Sequence, residues 1–209
     1  MTSNGTAPDE RDDRWATAVL GRDGRPVDGR LHDRLVAEAD AEGLLDVAYR
    51  TVDTPIGLLL LAATTEGLVR VAFDREDHDA VLERLAVAIS PRILRAPRRL
   101  DEAARQLDEY FAGTRRHFDL PIDFRLTQGF RRRVLEHLQH IGYGATESYA
   151  AVAAASGSPA AVRAVGSACA NNPIPVVVPC HRVVRSDGTI GQYLGGTEAK
   201  QALLALEAA

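Results

Sequence analysis

The thirteen residues from Asn172 to Val184, Asn-Pro-Ile-Pro-Val-Val-Val-Pro-Cys-His-Arg-Val-Val, restrict this chain more than any other stretch. Proline fixes φ and has no N–H to donate, so the prolines at 173, 175 and 179 predict two proline-bounded turns and then an apolar, extended run into Cys180. That run delivers a cysteine directly before His181 and Arg182. Positive neighbours can lower a thiol pKa from about 8.5 toward neutrality, which makes Cys180 a candidate nucleophile. A buried structural cysteine beside a surface His and Arg fits the same spacing. Adjacent residues of an extended segment point to opposite faces, so contact between Cys180 and His181 requires a bend, for which Asn172-Pro173 and Pro175 supply local geometry. Zinc sites use spacings such as CxxC and HxxxH, which Cys169, Cys180 and His181 do not make, so no metal is expected.

The 209 residues, 45% hydrophobic and 26% charged, suffice for one large domain or two small ones. No run approaches the roughly 18 apolar residues of a membrane span. The first residues, with Asp9, Glu10, Asp12 and Asp13, are acidic where a secretion signal is basic. A soluble, cytoplasmic protein is expected, with no membrane partner. Its two cysteines, Cys169 and Cys180, are too few for a disulfide-stapled domain and suit a reducing compartment. Arginine outnumbers lysine 24 to 1, the lysine being Lys200. The net charge of −4 opposes nucleic-acid binding at first sight. Its distribution weakens that objection: residues 1–46 carry 6 positive and 11 negative side chains, residues 47–120 carry 11 and 12, and residues 121–209 carry 8 and 6.

Residues 1–46 read as an extension, a mobile polar tail to about 30 and then one amphipathic helix over 31–45 through Leu31, Leu35, Ala39 and Leu44. Residues 47–120 read as a first domain. Short apolar runs at 47–53, 58–64 and 68–73 form a strand meander. Asp77 caps a helix to about 89 that presents Val81, Leu82 and Leu85, a second helix spans 99–112, and a strand at 117–122 closes the domain. Residues 121–209 read as mostly helical: 128–140, 147–156, 159–170 with Ser158-Pro159 as cap and first turn, an Asp187-Gly188 turn, and a terminal helix from 197.

The helix expected at 159–170 holds small residues except for one long cation, Arg163. Such a helix packs closely against another helix, or it enters a DNA minor groove only about 6 Å wide and inserts one side chain where a base has left. With the Ser148-Tyr149 helix before it and a Gly157-Ser158 turn between, it reads as a helix-turn-helix pair.

These blocks together resemble one family, the O6-alkylguanine-DNA alkyltransferases. The resemblance runs through Tyr143-Gly144, Ser148-Tyr149, Ala161-Val162-Arg163-Ala164-Val165-Gly166, Asn172-Pro173, Pro179-Cys180-His181-Arg182-Val183, Gly191-Gln192-Tyr193-Leu194-Gly195-Gly196 and Leu203-Leu204-Ala205-Leu206-Glu207, about 80 residues in consistent order. It implies an α/β (α+β) chain with a small N-terminal β-meander domain followed by a winged-helix-like, helix-turn-helix DNA-binding domain. It also implies a monomer that repairs double-stranded DNA containing O6-alkylguanine, and O4-methylthymine as well, without a cofactor. On this pattern Arg163 replaces the extruded nucleotide, and Ala161, Ala164 and Gly166 let its helix approach the DNA. Cys180 takes the alkyl group irreversibly, once per molecule. His181 takes the thiol proton through a water, Glu207 orients the imidazole, Tyr149 donates toward the leaving base, and Asn172 fastens the turn before Cys180. Val183, Tyr193, Leu194 and Gly195 surround the base, and Leu194, where many relatives have a smaller residue, narrows the pocket. The alternatives are an alkylation-responsive DNA-binding regulator, a non-repairing binder of alkylated DNA, which would lack the acceptor cysteine, and a cysteine hydrolase using Cys180 and His181.

Overall fold

The structure is a computed structural model that describes residues 29–208. The expected tail lies outside these residues up to residue 28. The chain forms two compact units, one ending at Gly43 and the other running from Leu44 to Ala209. In the first unit, helix α1 spans Gly29–Ala41 and stops before Gly43, whose φ of +67° is left-handed. The helix expected to reach residue 45 therefore ends earlier.

The second unit is α/β. Strands β1 (Val47–Val52), β2 (Leu59–Ala63) and β3 (Leu68–Phe73) pair antiparallel as the meander predicts. β4 (Ile93–Arg95), which the sequence pattern did not single out, adds parallel to β1 and gives the order β3-β2-β1-β4. Every residue of β2 is buried, as befits a strand covered on both faces. Helix α2 (His78–Ala88) lays Val81 and Leu85 on Val47, Leu60, Ala62, Val69 and Ala72. Its cap is Asp77, whose carboxylate accepts from the N–H groups of Asp79 and Ala80. The helix expected at 99–112 is a 3-10 turn over Pro97–Leu100 followed by α3 (Asp101–Phe111). The strand expected at 117–122 shrinks to a single bridge, Leu68 with Ile122. Pro121 offers only its carbonyl, which accepts from the Leu68 N–H, while Asp123 donates to Leu68.

Helices α4 (Gly129–Leu138), α5 (Tyr149–Ala155) and α6 (Val162–Ala170) pack against one another. Ser148 caps α5 through the N–H of Ala151, and β5 (Glu147–Ser148) pairs in parallel with β6 (Val183–Val184). α6 begins three residues later than expected. The Ser158 carbonyl accepts from the Ala161 N–H, so Ser158-Pro159 forms a turn ahead of the helix rather than its cap. Helix α7 (Thr197–Glu207) closes the unit. Among the described residues no helix is long and apolar enough to cross a membrane.

The sheet supports the segment before Cys180 directly. On β3 the Val71 N–H donates to the Pro173 carbonyl at 2.8 Å, and Arg70 donates to the same carbonyl at 3.2 Å. Phe73, at the end of β3, meets Tyr193 edge-on with ring centroids 5.7 Å apart. The β2–β3 turn is equally confined: Gly67 sits at φ +143°, and a Cβ there would lie 2.3 Å from the Pro121 carbonyl oxygen. Gly67→Ala therefore combines a backbone conformation foreign to L side chains with a backbone clash. It should lower unfolding free energy by about 2 kcal/mol or more, read as a shift in denaturant midpoint at unchanged m-value.

Candidate active site

The run before Cys180 is buried but not extended, which corrects the sequence expectation. Val176 takes φ +72°, a left-handed conformation that costs a β-branched residue about 1–3 kcal/mol. The Val178 N–H bonds back to the Ile174 carbonyl. Pro179, at φ −82° and ψ 63°, makes an inverse γ-turn closed by the Cys180 N–H on the Val178 carbonyl at 2.8 Å. Cys180, His181 and Arg182 then form one 3-10 turn ending on β6. Asn172 clasps this coil. Its Oδ1 accepts from the Ile174 N–H at 3.0 Å, and its Nδ2 donates to the Val178 carbonyl at 2.8 Å and to the Cys180 sulfur at 3.1 Å. A single buried amide thus bridges both ends of the strained segment and touches the thiol.

Glu207, at the end of α7, is the other organising group. Its Oε1 accepts from Tyr110 Oη at 2.6 Å, His181 Nε2 at 2.9 Å and Arg182 Nη2 at 2.8 Å; its Oε2 accepts from Arg182 Nε at 2.9 Å and the Gly144 N–H at 3.3 Å. Burial alone would raise this carboxyl's pKa, but the bonds from His181 and Arg182 outweigh it and hold the pKa at about 2. An ionised carboxylate only accepts, so His181 Nε2 carries the proton and Nδ1 presents a lone pair. Nδ1 is buried and makes no hydrogen bond to the described residues. Burial pushes the imidazole pKa below its ordinary value against the opposing pull of Glu207, so the ring is neutral at pH 7.

Cys180 is 1% exposed, and burial pushes its thiol up to about 11, against smaller opposing effects from the Asn172 bond and the charge of Lys200. The neighbours in sequence do not activate it, contrary to expectation. Arg182 is committed to Glu207 and to the Ile141 carbonyl, and His181 is neutral. The cation that acts on the sulfur is Lys200 of α7, fully buried, with Nζ donating to the Val183 carbonyl at 2.6 Å. Sequence reasoning noted Lys200 only as the sole lysine, and it gave no part to Tyr110 or Arg182 in holding Glu207. Those roles depend on tertiary contacts with no local pattern.

Tyr149 opens α5, half-buried, its hydroxyl filling the space over Gly191, where a Cβ would lie 2.5 Å from it. Burial raises its pKa, so it keeps its proton. Val183 donates its N–H to the Cys180 carbonyl, while its own carbonyl takes the Lys200 bond. Tyr193 is buried between Phe73 and His181. A Cβ on Gly195 would lie 2.5 Å from the Phe73 ring, so this glycine secures a close approach to the sheet. Leu194 is half-buried and lines a groove beside Asn171, Asn172 and Pro173. On α6, Arg163 and Ala164 are exposed, while Gly166 and the cap residue Ala161 are half-exposed; Arg163 makes no hydrogen bond or ion pair among the described residues.

Two family models match nearly all of the second unit: the 6-O-methylguanine DNA methyltransferase ribonuclease-like domain over residues 47–124, and the DNA binding domain of the same proteins over residues 129–209. The chain belongs to the 6-O-methylguanine DNA methyltransferase family. It is 43% identical over 161 residues to a methylated-DNA–protein-cysteine methyltransferase of Mycolicibacterium paratuberculosis, covering 77% of this chain and 92% of the relative. It is 40% identical over 160 residues to the constitutive enzyme of Bacillus subtilis, covering 76% of this chain and 94% of that one. The crystal structure of Mycobacterium tuberculosis OGT in complex with DNA superposes with a TM-score of 0.65 at 37% identity, covering 77% of this chain and 92% of that one.

Two outcomes test this geometry. Glu207→Gln strands the buried Arg182 guanidinium and should cost about 3–5 kcal/mol. The Glu207 carboxyl titrates lower in the folded protein than its ordinary 4.5, so its stabilisation is complete above that pH and is lost as pH falls toward 2. Denaturant midpoints measured across that window should fall more steeply with acid in the parent than in the variant. Separately, with Cys169 replaced by Ala, iodoacetamide should modify Cys180 about tenfold faster for each pH unit from 7 toward 11. A rate already level at pH 7 would mean a resting thiolate.

Proposed function

We infer that this protein repairs DNA by direct reversal, moving the alkyl group of O6-alkylguanine, and of O4-methylthymine, onto Cys180 in one irreversible step. The observation that carries this reading is the thiol held by Asn172 within one turn of a neutral histidine that Glu207 orients, in a unit whose helix α6 leaves Arg163 free on a face of small residues.

In the proposed reaction, α6 enters the minor groove and Arg163 fills the stack left by the extruded nucleotide, which lowers the cost of opening the duplex. Ala161, Ala164 and Gly166 supply the close approach. The Cys180 S–H proton passes to His181 Nδ1 through a water, the sulfur forms a bond to the alkyl carbon, and the carbon–O6 bond breaks. The electron pair stays with the guanine, and Tyr149 donates a proton or hydrogen bond toward it. Glu207 stabilises the imidazolium that forms. Val183, Tyr193, Leu194 and Gly195 shape the pocket. Lys200 is the cation that supports the sulfur as it loses its proton. The donor is the lesion itself, so no cofactor is required, and the thioether product cannot return to a thiol by hydrolysis. Residues 47–120 would serve as the supporting domain and residues 121–209 as the DNA-binding domain of a cytoplasmic monomer.

Intact-mass measurement after mixing with methylated duplex should find one methyl per chain, on the peptide holding Cys180; more than one turnover per chain, or a methyl on Cys169, would refute the mechanism. Cys180→Ser should lose transfer and keep duplex binding. Arg163→Ala should slow transfer from duplex by roughly one to three powers of ten, at about 1.4 kcal/mol per factor of ten, yet react with free O6-alkylguanine near the parental rate. Equal slowing on both substrates would remove Arg163 from the DNA.

A further inference from the structure

A second cationic feature adjoins α6; its arginines have no part in the chemistry above, and Asn172 and Leu194 stand on the wall it shares with the site. A groove of about 330 Å³ opens between β3, α2, α4 and the C-terminal end of α6, lined by Arg70, Arg84, Arg131 and Asn171 among others. Its one carboxylate, Glu76, is taken: it is ion-paired with Arg70 and accepts from the Phe73 N–H. Arg84, on α2, and Arg131, in the first turn of α4, are exposed and make no hydrogen bond or ion pair among the described residues.

Arg75, Arg98, Arg116 and Arg163 likewise hold no carboxylate among the described residues; what sets Arg84 and Arg131 apart is that they line one groove. Arg50, Arg92, Arg105, Arg115, Arg125 and Arg132 each hold a carboxylate, even at the surface. Bringing two unpaired guanidinium groups to one concave surface beside Arg70 is unfavourable without an anion, and the charge of Arg84 is felt at Arg70. The first turn of α4 adds the positive end of a helix dipole, with no acidic side chain to offset it. The exposed face of α6 runs from Arg163 through Ala164, Ser167 and Ala170 to Asn171, and its last two residues line the groove. A polyanion lying along α6 would reach it.

We propose that this groove holds a backbone phosphate of the DNA strand that α6 follows, gripped by Arg84 from the sheet half of the unit and Arg131 from the helical half. The guanidinium fork matches a phosphate in geometry and charge. The contact fixes the position of the duplex without reading its sequence. It also answers the charge problem of an acidic protein: the positive charge that neutralises phosphates is concentrated locally instead of spread over the chain.

The inference rests on the duplex-binding reading above, and the test separates the two. Duplex affinity is measured by fluorescence anisotropy over a series of salt concentrations for the parent, for Arg84→Ala/Arg131→Ala, for Arg84→Lys/Arg131→Lys, and for Arg98→Ala, which removes an exposed arginine outside the groove. In the double alanine variant the slope of log affinity against log salt should fall by about 1, because one neutralised phosphate contributes about 0.9. The weakening should be the same for different duplex sequences. The double lysine variant should recover most of the slope, and Arg98→Ala should keep the parental one. Thermal midpoints confirm that each variant is folded. A double alanine variant with the parental slope overturns the groove while leaving duplex binding intact, as does an equal loss in Arg98→Ala. A parent that binds no duplex overturns both.

Discussion

The Glu207 carboxylate is the interaction on which the rest of the site depends. It accepts from four residues on three parts of the chain, Tyr110 of α3, Gly144 in the loop before β5, and His181 and Arg182 of the cysteine turn, with α7 supplying the anion itself. A buried carboxylate is costly unless it is fully paired, and here each oxygen accepts at least two bonds. Because Arg182 neutralises the carboxylate in a two-bond fork, His181 can donate to it without being protonated. Structural charge balance and the tautomer of the histidine are therefore set by one group.

The sheet half of the unit holds the cysteine turn without supplying groups to the reaction. Val71 and Arg70 fasten the Pro173 carbonyl, Asn172 clasps the coil that follows, and Phe73 receives Tyr193 and Gly195. The strain at Val176 is tolerable only in such surroundings, where hydrogen bonds and packing fix the backbone from both sides. The thiol is consequently presented from a rigid support, and its orientation does not rest on the flexibility of a surface loop.

What the sequence made legible was local or modular. Asp77 was recognisable as a cap because an aspartate before a helical pattern satisfies free N–H groups wherever it occurs. The three meander strands were recognisable from their alternation and turn residues, and Cys180, His181 and Glu207 from the family resemblance. β4 was missed because three residues pairing parallel to a distant strand leave no periodic signature. Ser158-Pro159 was misread because serine followed by proline suits a turn as well as a helix start, and tertiary packing chose between them. The valines at 176–178 have the composition of a strand, yet the clasp by Asn172 imposes turns. Lys200 and Tyr110 lie far in sequence from the atoms they bind, so their importance is purely three-dimensional.

The protonated, nearly sealed state of Cys180 bears on survival as well as reactivity. Oxidants such as peroxides attack thiolates, and susceptibility follows thiolate character and exposure. A sulfur whose pKa stands at about 11 and which is 1% exposed satisfies neither condition at rest. Under the proposed transfer to Cys180, an acceptor spent by a single event has no second chance after accidental oxidation. The burial that makes the thiol a poor nucleophile in isolation is thus also its preservative: on the proposed mechanism the molecule waits in a chemically inert form, and its one reaction is kept for an alkyl donor brought to the sulfur.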